Sequence, residues 1–211
     1  MKANRPLISF ASICSAFLLV AVTPSVATAQ SSPTPLKIVA FGASQTAGKG
    51  VAPDDAYPAR LAVLLQNDGF DVTVENQGVS GDRLADEARR LETALPPTTR
   101  IVLYQPGTND CGKRSHISQS DFREGIDAAL SWMQAHHLLV LAMDGGCHFG
   151  VLEEESAKYG AMYYGKISAG LEDMKQADGQ HLTPEGYQKL AEQVRPFVEK
   201  LIQEALKSNP Q

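Results

Sequence analysis

The order of apolar segments in this sequence predicts an α/β fold with a mostly parallel sheet covered by helices on both faces. Two observations carry the prediction. Four strongly apolar runs alternate with amphipathic stretches, and the loops after the first three runs are rich in small turn residues. In such a sheet, ligands bind beyond the carboxyl ends of the strands, around the switch in strand order.

The elements follow in turn. LKIVAFG (36–42) reads as the first strand, and Tyr57 to Leu65 as a helix with Leu61, Leu64 and Leu65 on one face. DVTVEN (71–76) is the second strand and Arg83 to Ala94 the next helix. RIVLYQP (100–106) is the third strand, followed by a helix from Asp121 to His136 with Phe122, Ile126, Ala129, Leu130 and Met133 at helical spacing. LLVLAM (138–143) is the fourth strand; after it the pattern weakens to a short helix, Leu152 to Tyr159, and a short fifth strand, AMYYGK. The last helix starts at Thr183, with Pro184 in its first turn and Val194, Phe197, Val198, Leu201 and Ile202 facing inward.

Residues 1–29 have the pattern of a secretory signal: Lys2 and Arg5 lead an apolar stretch that ends at small residues, Ala27-Thr28-Ala29. Serines at 9, 12 and 15 and the lack of a following charged flank disfavour a membrane anchor. Residues 30–35 form a polar linker, and 36–207 are expected to be one domain. The expected localisation is periplasmic or secreted. With the signal removed, net charge goes from −5 to −7, and without a basic cluster the chain is not expected to bind nucleic acid. Cys111 and Cys147 remain in an oxidising compartment, either as a disulfide or as two independently buried thiols.

FGASQTAGKG (41–50) raises the question of phosphate binding. Five residues separate Gly42 from Gly48, and Gly50 stands where a P-loop needs Ser or Thr; GxGxxG cannot be placed either. What is left is a strand entering a tight turn with Ser44 at its tip. The following loops read NQGVSGD (76–82) and PGTND (106–110), and Asp178-Gly179-Gln180-His181 precedes the final helix. A serine hydroxyl is a weak nucleophile that needs a base, and the base needs a third group to fix its tautomer; Ser44, His181 and Asp178 supply these types. Taken singly, each is an ordinary turn or cap residue. Ser80 is not in a GxSxG elbow. His136-His137 suits a helix C-terminus, and His148 is a candidate for the rim of the site. Asp144, Cys147 and His148 lack zinc spacing, so no metal is expected. Lys49 and Arg83 lie near the expected mouth, either to meet an anionic substrate or as solvated charge.

Together and in this order, the four blocks resemble the SGNH hydrolase family, also called GDSL-type esterases. DGQHLTPEGY, with GTND upstream, is most similar to the bacterial branch containing thioesterase I and lysophospholipase-type enzymes. The resemblance implies a flavodoxin-like three-layer α/β/α sandwich with a five-stranded mostly parallel sheet. It implies a catalytic triad of Ser44, Asp178 and His181, and an oxyanion hole from Ser44, Gly81 and Asn109. It implies hydrolysis of a small-molecule acyl ester or thioester without cofactor. One position departs: the family usually has Asp before the nucleophile, and here it is Ala43. Ala43 suggests one alternative, a catalytically weak ligand-binding protein on the same scaffold; within the enzyme class the alternative to an acyl esterase is a deacetylase of cell-wall or extracellular sugars. If the third and fourth strands are neighbours, as the resemblance implies, Cys111 and Cys147 share one edge of the sheet and can pair.

Overall fold

Five strands form one sheet in the order β2-β1-β3-β4-β5, and every neighbouring pair is parallel. The strands are β1 (Leu36–Gly42), β2 (Val72–Gly78), β3 (Thr99–Gln105), β4 (Leu139–Asp144) and β5 (Met162–Lys166). The computed structural model describes residues 34–112 and 115–208. The expected signal and most of the expected linker lie outside the described residues. Among the described residues, no helix is long and apolar enough to cross a membrane.

The helices are α1 (Ser44–Ala47), α2 (Tyr57–Asn67), α3 (Leu84–Ala94), α4 (Gln119–Ala135), α5 (Val151–Tyr159) and α6 (Pro184–Ser208). Side chains alternate across a strand, so β1 feeds two cores. Ile38 and Ala40 join Leu61, Leu65, Val194, Val198 and Ile202 of α2 and α6 on one face. Val39 and Phe41 join Leu91, Ile126, Leu130 and Leu152 of α3, α4 and α5 on the other. The three-layer sandwich expected from the resemblance is therefore present, with a sheet that is wholly rather than mostly parallel.

Some boundaries differ from the sequence expectation for identifiable reasons. β2 continues to Gly78, past the expected Asn76, because Asn76, Gln77 and Gly78 stay in register with Ala40, Phe41 and Gly42. On an edge strand the backbone ladder suffices, and the side chains there need not be apolar. α4 begins at Gln119, where Ser118 accepts a hydrogen bond from the Asp121 N–H at 3.1 Å. Phe197 is only half-buried; its ring meets Tyr164 edge-on at 5.3 Å between centroids instead of entering the core.

The strand order reverses between β1 and β3, since the chain leaves β1 for β2 on one side and then crosses to β3 on the other. The loops that follow β1 and β3 diverge there and leave a crevice at the carboxyl edge.

Candidate active site

Ser44 stands at that crevice, as the first residue of a single helical turn that ends at Gly48 in left-handed conformation. Gly78, at the end of β2, makes the turn possible. A Cβ at 78 would collide with the Ala47 nitrogen, so only glycine lets α1 lie this close to the strand.

His181 comes to Ser44 from the opposite end of the chain. Its Nε2 lies 2.8 Å from Ser44 Oγ, and its Nδ1 lies 2.5 Å from Asp178 Oδ2. Asp178 also accepts from the Gln180 and His181 backbone N–H groups, at 2.9 and 3.0 Å. The hydrogen bond from the His181 ring, followed by those two N–H groups, holds the Asp178 carboxyl well below the usual carboxylate range. An ionised carboxylate can only accept. Nδ1 of a neutral His181 therefore carries the proton, and Nε2 is left to take one from Ser44. The His181 side chain is 5% exposed and that of Asp178 43%, so the proton-accepting ring is sealed while its partner touches water.

Ser44, Gly81, Asn109 and His181 line a common cleft of about 330 Å³. Grooves of about 470 Å³ and larger lie elsewhere on the protein, but none of them holds these residues. Gly81 has φ of +98°, a conformation that aims the backbone where an L side chain rarely goes. The Asn109 side-chain NH₂ donates to the Asp82 carbonyl at 2.8 Å, which uses one of its two hydrogens. Ala43, where the family carries Asp, is fully buried, and α1 begins without a side-chain cap.

Several residues that the sequence did not point to hold these groups in place. Gln45 donates to the Gln180 carbonyl at 2.8 Å and accepts from the Tyr187 hydroxyl at 3.2 Å, fastening the Ser44 turn to the His181 loop. Gln176 donates to the carbonyls of Lys49 and Leu182, at 2.8 and 2.7 Å, and so ties the same two segments again. Arg90 of α3 donates to Asp82 Oδ2 at 2.7 Å, to the Gln77 carbonyl at 2.8 Å and to the Gly42 carbonyl at 3.0 Å. One guanidinium thereby joins the ends of β1 and β2 to the residue after Gly81. The only sequence signal for Gln45 is its place beside Ser44; Arg90 reads as one charge among many on an amphipathic helix.

Other expected residues fall outside the cleft. His148 does not line it: Nε2 lies 2.9 Å from the Ile117 carbonyl and the ring packs on Phe122. His136 ends α4, with Nδ1 2.8 Å from the Trp132 carbonyl. Lys49 lines the cleft and Arg83 does not. Cys111 and Cys147 are joined as a disulfide with Cα atoms 5.4 Å apart. With His148 they are the one group of candidate metal ligands among the described residues, but bridged sulfurs offer no thiolate.

Residues 40–166 match the model of the GDSL-like lipase/acylhydrolase family; the matched segment includes Ser44, Gly81 and Asn109 and stops short of Asp178 and His181. Among solved structures, the psychrotrophic esterase EstA from Pseudoalteromonas sp. superposes with a TM-score of 0.70 at 17% identity, over 79% of this chain and 98% of that one. TesA gives 0.68 at 22% identity, over 78% and 99%. AlinE4, an SGNH-hydrolase family esterase, gives 0.62 at 26% identity, over 81% and 98%. No curated protein sequence matches the chain.

Proposed function

We propose that this chain, which belongs to the GDSL-like lipase/acylhydrolase family, hydrolyses carboxylic esters or thioesters through an acyl-enzyme on Ser44. The observation that carries the proposal is the continuous relay Asp178–His181–Ser44, with links of 2.5 and 2.8 Å, opening into a cleft shared with Gly81 and Asn109.

In this reading, Ser44 Oγ attacks the acyl carbonyl while His181 Nε2 takes the hydroxyl proton. The negative charge that develops on the carbonyl oxygen is met by the N–H groups of Ser44 and Gly81 and by the free hydrogen of the Asn109 amide. One such donor contributes about 3–4 kcal/mol in the transition state. The C–O or C–S bond then breaks, and His181 returns the proton to the departing alcohol or thiol. Water, deprotonated by the same nitrogen, attacks the Ser44 ester, and its collapse releases the acid and restores Ser44. Asp178 stays ionised throughout and steadies the imidazolium.

The 2.8 Å link between His181 and Ser44 exists with Ala43 in place, which favours a working hydrolase over a weak binder. Export is part of the proposal and is supported by the pattern of residues 1–29 and by the Cys111–Cys147 bridge.

The test uses Ser44→Ala and His181→Ala with a nitrophenyl ester, together with a fluorophosphonate that labels activated serines. Each variant is expected to lose several orders of magnitude in kcat, and the double variant little more, because the residues act as a unit. The phosphonate should label the parent protein at Ser44 only. A Ser44→Ala enzyme with kcat within tenfold of the parent overturns the assignment.

A further inference from the structure

Three lysines stand around the proposed nucleophile. Lys49 follows the nucleophile's turn, Lys166 ends β5, and Lys175 pairs with Leu182, the residue after His181, in an isolated antiparallel bridge. All three line the cleft, and among the described residues no Asp or Glu does. Among the described residues none of the three lysines forms an ion pair, whereas Lys37, Lys158 and Lys189 do. The negative charge nearest the catalytic histidine, on Asp178, is committed to its ring and to two N–H groups. A cleft lined by three lysines that are outside any ion pair among the described residues is a local inversion in a chain of net charge −5. Like charges gathered around one opening raise each other's energy, and an anion entering it relieves all three.

The wall of the cleft carries a second message. Among the described residues, Ile167 is the only large aliphatic one in it; the remainder is glycine, serine, amide and lysine besides His181. Each buried methylene of an acyl chain is worth about 0.8 kcal/mol against an apolar wall, and there is no such wall here to repay a long one.

We infer that the substrates are short-acyl esters carrying a negative charge, a carboxylate, phosphate or sulfate, close to the scissile bond, and that Lys49, Lys166 and Lys175 select them. This rests on the ester-hydrolase reading of Ser44.

A matched pair of substrates tests it: 4-acetoxybenzoate, which is anionic, and 4-acetoxybenzamide, its neutral counterpart of nearly the same shape. At low ionic strength, kcat/KM is expected to favour the benzoate by at least tenfold. The preference should collapse toward unity in 1 M salt, where the screening length falls to about 3 Å. Lys49→Gln/Lys166→Gln/Lys175→Gln should bring the ratio to within about twofold of unity at low salt. The octanoyl ester of 4-hydroxybenzoate should be turned over no faster than the acetyl ester. A ratio near or below one in the parent, or a preference that survives both salt and the triple substitution, overturns the charge selection. A tenfold preference for octanoyl overturns the short-acyl part. Failure of the underlying reading gives a different result, since then neither ester is cleaved and the fluorophosphonate leaves Ser44 unlabelled.

Discussion

Asn109 has one amide hydrogen bound to the Asp82 carbonyl, and that bond fixes where the other points. If the second hydrogen meets the developing oxyanion, Asn109→Ala lowers kcat by about 10²–10³ and leaves KM nearly unchanged; steady-state kinetics on a nitrophenyl ester read both. Glu87 is a different kind of residue. It is buried, it accepts from the Gly107 N–H at 3.2 Å through one oxygen, and its other oxygen has no partner among the described residues. Burial pushes its carboxyl up to about 8, against the lowering effect of the Gly107 N–H and Arg90. The native protein thus keeps a proton that the unfolded chain releases near pH 4.5, so this residue's contribution to stability falls as pH rises from 4.5 to about 8. Glu87→Gln imitates the protonated form. It should match the parent in denaturant unfolding at pH 4 and exceed it at pH 9 by roughly 3–5 kcal/mol, since each tenfold change in proton affinity between the folded and unfolded chains is worth about 1.4 kcal/mol. The contrast between these residues shows what a sequence reveals. Ser44, Asn109, Asp178 and His181 stood out because the resemblance falls on their short blocks in order, and the structure does bring Asp178, His181 and Ser44 within hydrogen-bond reach. Glu87 was not, because its burial depends on the Gly107 turn 20 residues away, a tertiary contact with no local pattern.

Elements long enough to show a period were read to within a few residues, and the errors fall where physics removes the period. α1 has four residues, too few for a face, yet it carries Ser44, the proposed nucleophile. The tail of β2 is an edge with polar side chains held by backbone pairing to β1. α3 turns Leu84 and Leu91 toward the core, but its polar side is also engaged, through Arg90. This guanidinium lies 4.4 Å from the centre of the Phe41 ring and is paired with an Asp82 side chain only 13% exposed. Arg90→Ala leaves that carboxylate and the Gln77 carbonyl without their donor. A loss of about 2–3 kcal/mol in stability is expected, less than for a fully buried pair. Because the ends of β1 and β2 lose a common anchor, kcat should also fall by about 10–100-fold at temperatures far below unfolding, with little change in KM, as expected when a small misplacement reaches the reacting groups. Arg90→Lys, which keeps the charge but not the three-way reach, should recover stability better than rate. Thermal unfolding alongside kinetics separates the two effects.

Over the whole molecule, the alternation of strands and helices specified the layers, and the expected neighbours β3 and β4 do pair. Their adjacency brings Cys111 and Cys147 together across 36 residues. Closing a loop of that length removes chain entropy worth about 3–4 kcal/mol from the unfolded state. Cys111→Ser/Cys147→Ser is therefore expected to lower unfolding free energy by about 2–4 kcal/mol and to reduce kcat more than KM, since Asn109 sits two residues from the bridge; urea unfolding and kinetics on the same preparation check both. The widest span in the site has another meaning. His181 meets Ser44 across 137 residues, and the loop bearing it is placed by α6 packing on α2. In the proposed reading, Ser44 and His181 become a working pair only when segments 137 residues apart have both reached their places, so the packing of α6 on α2, far from the reacting atoms, is a condition of activity as much as of stability.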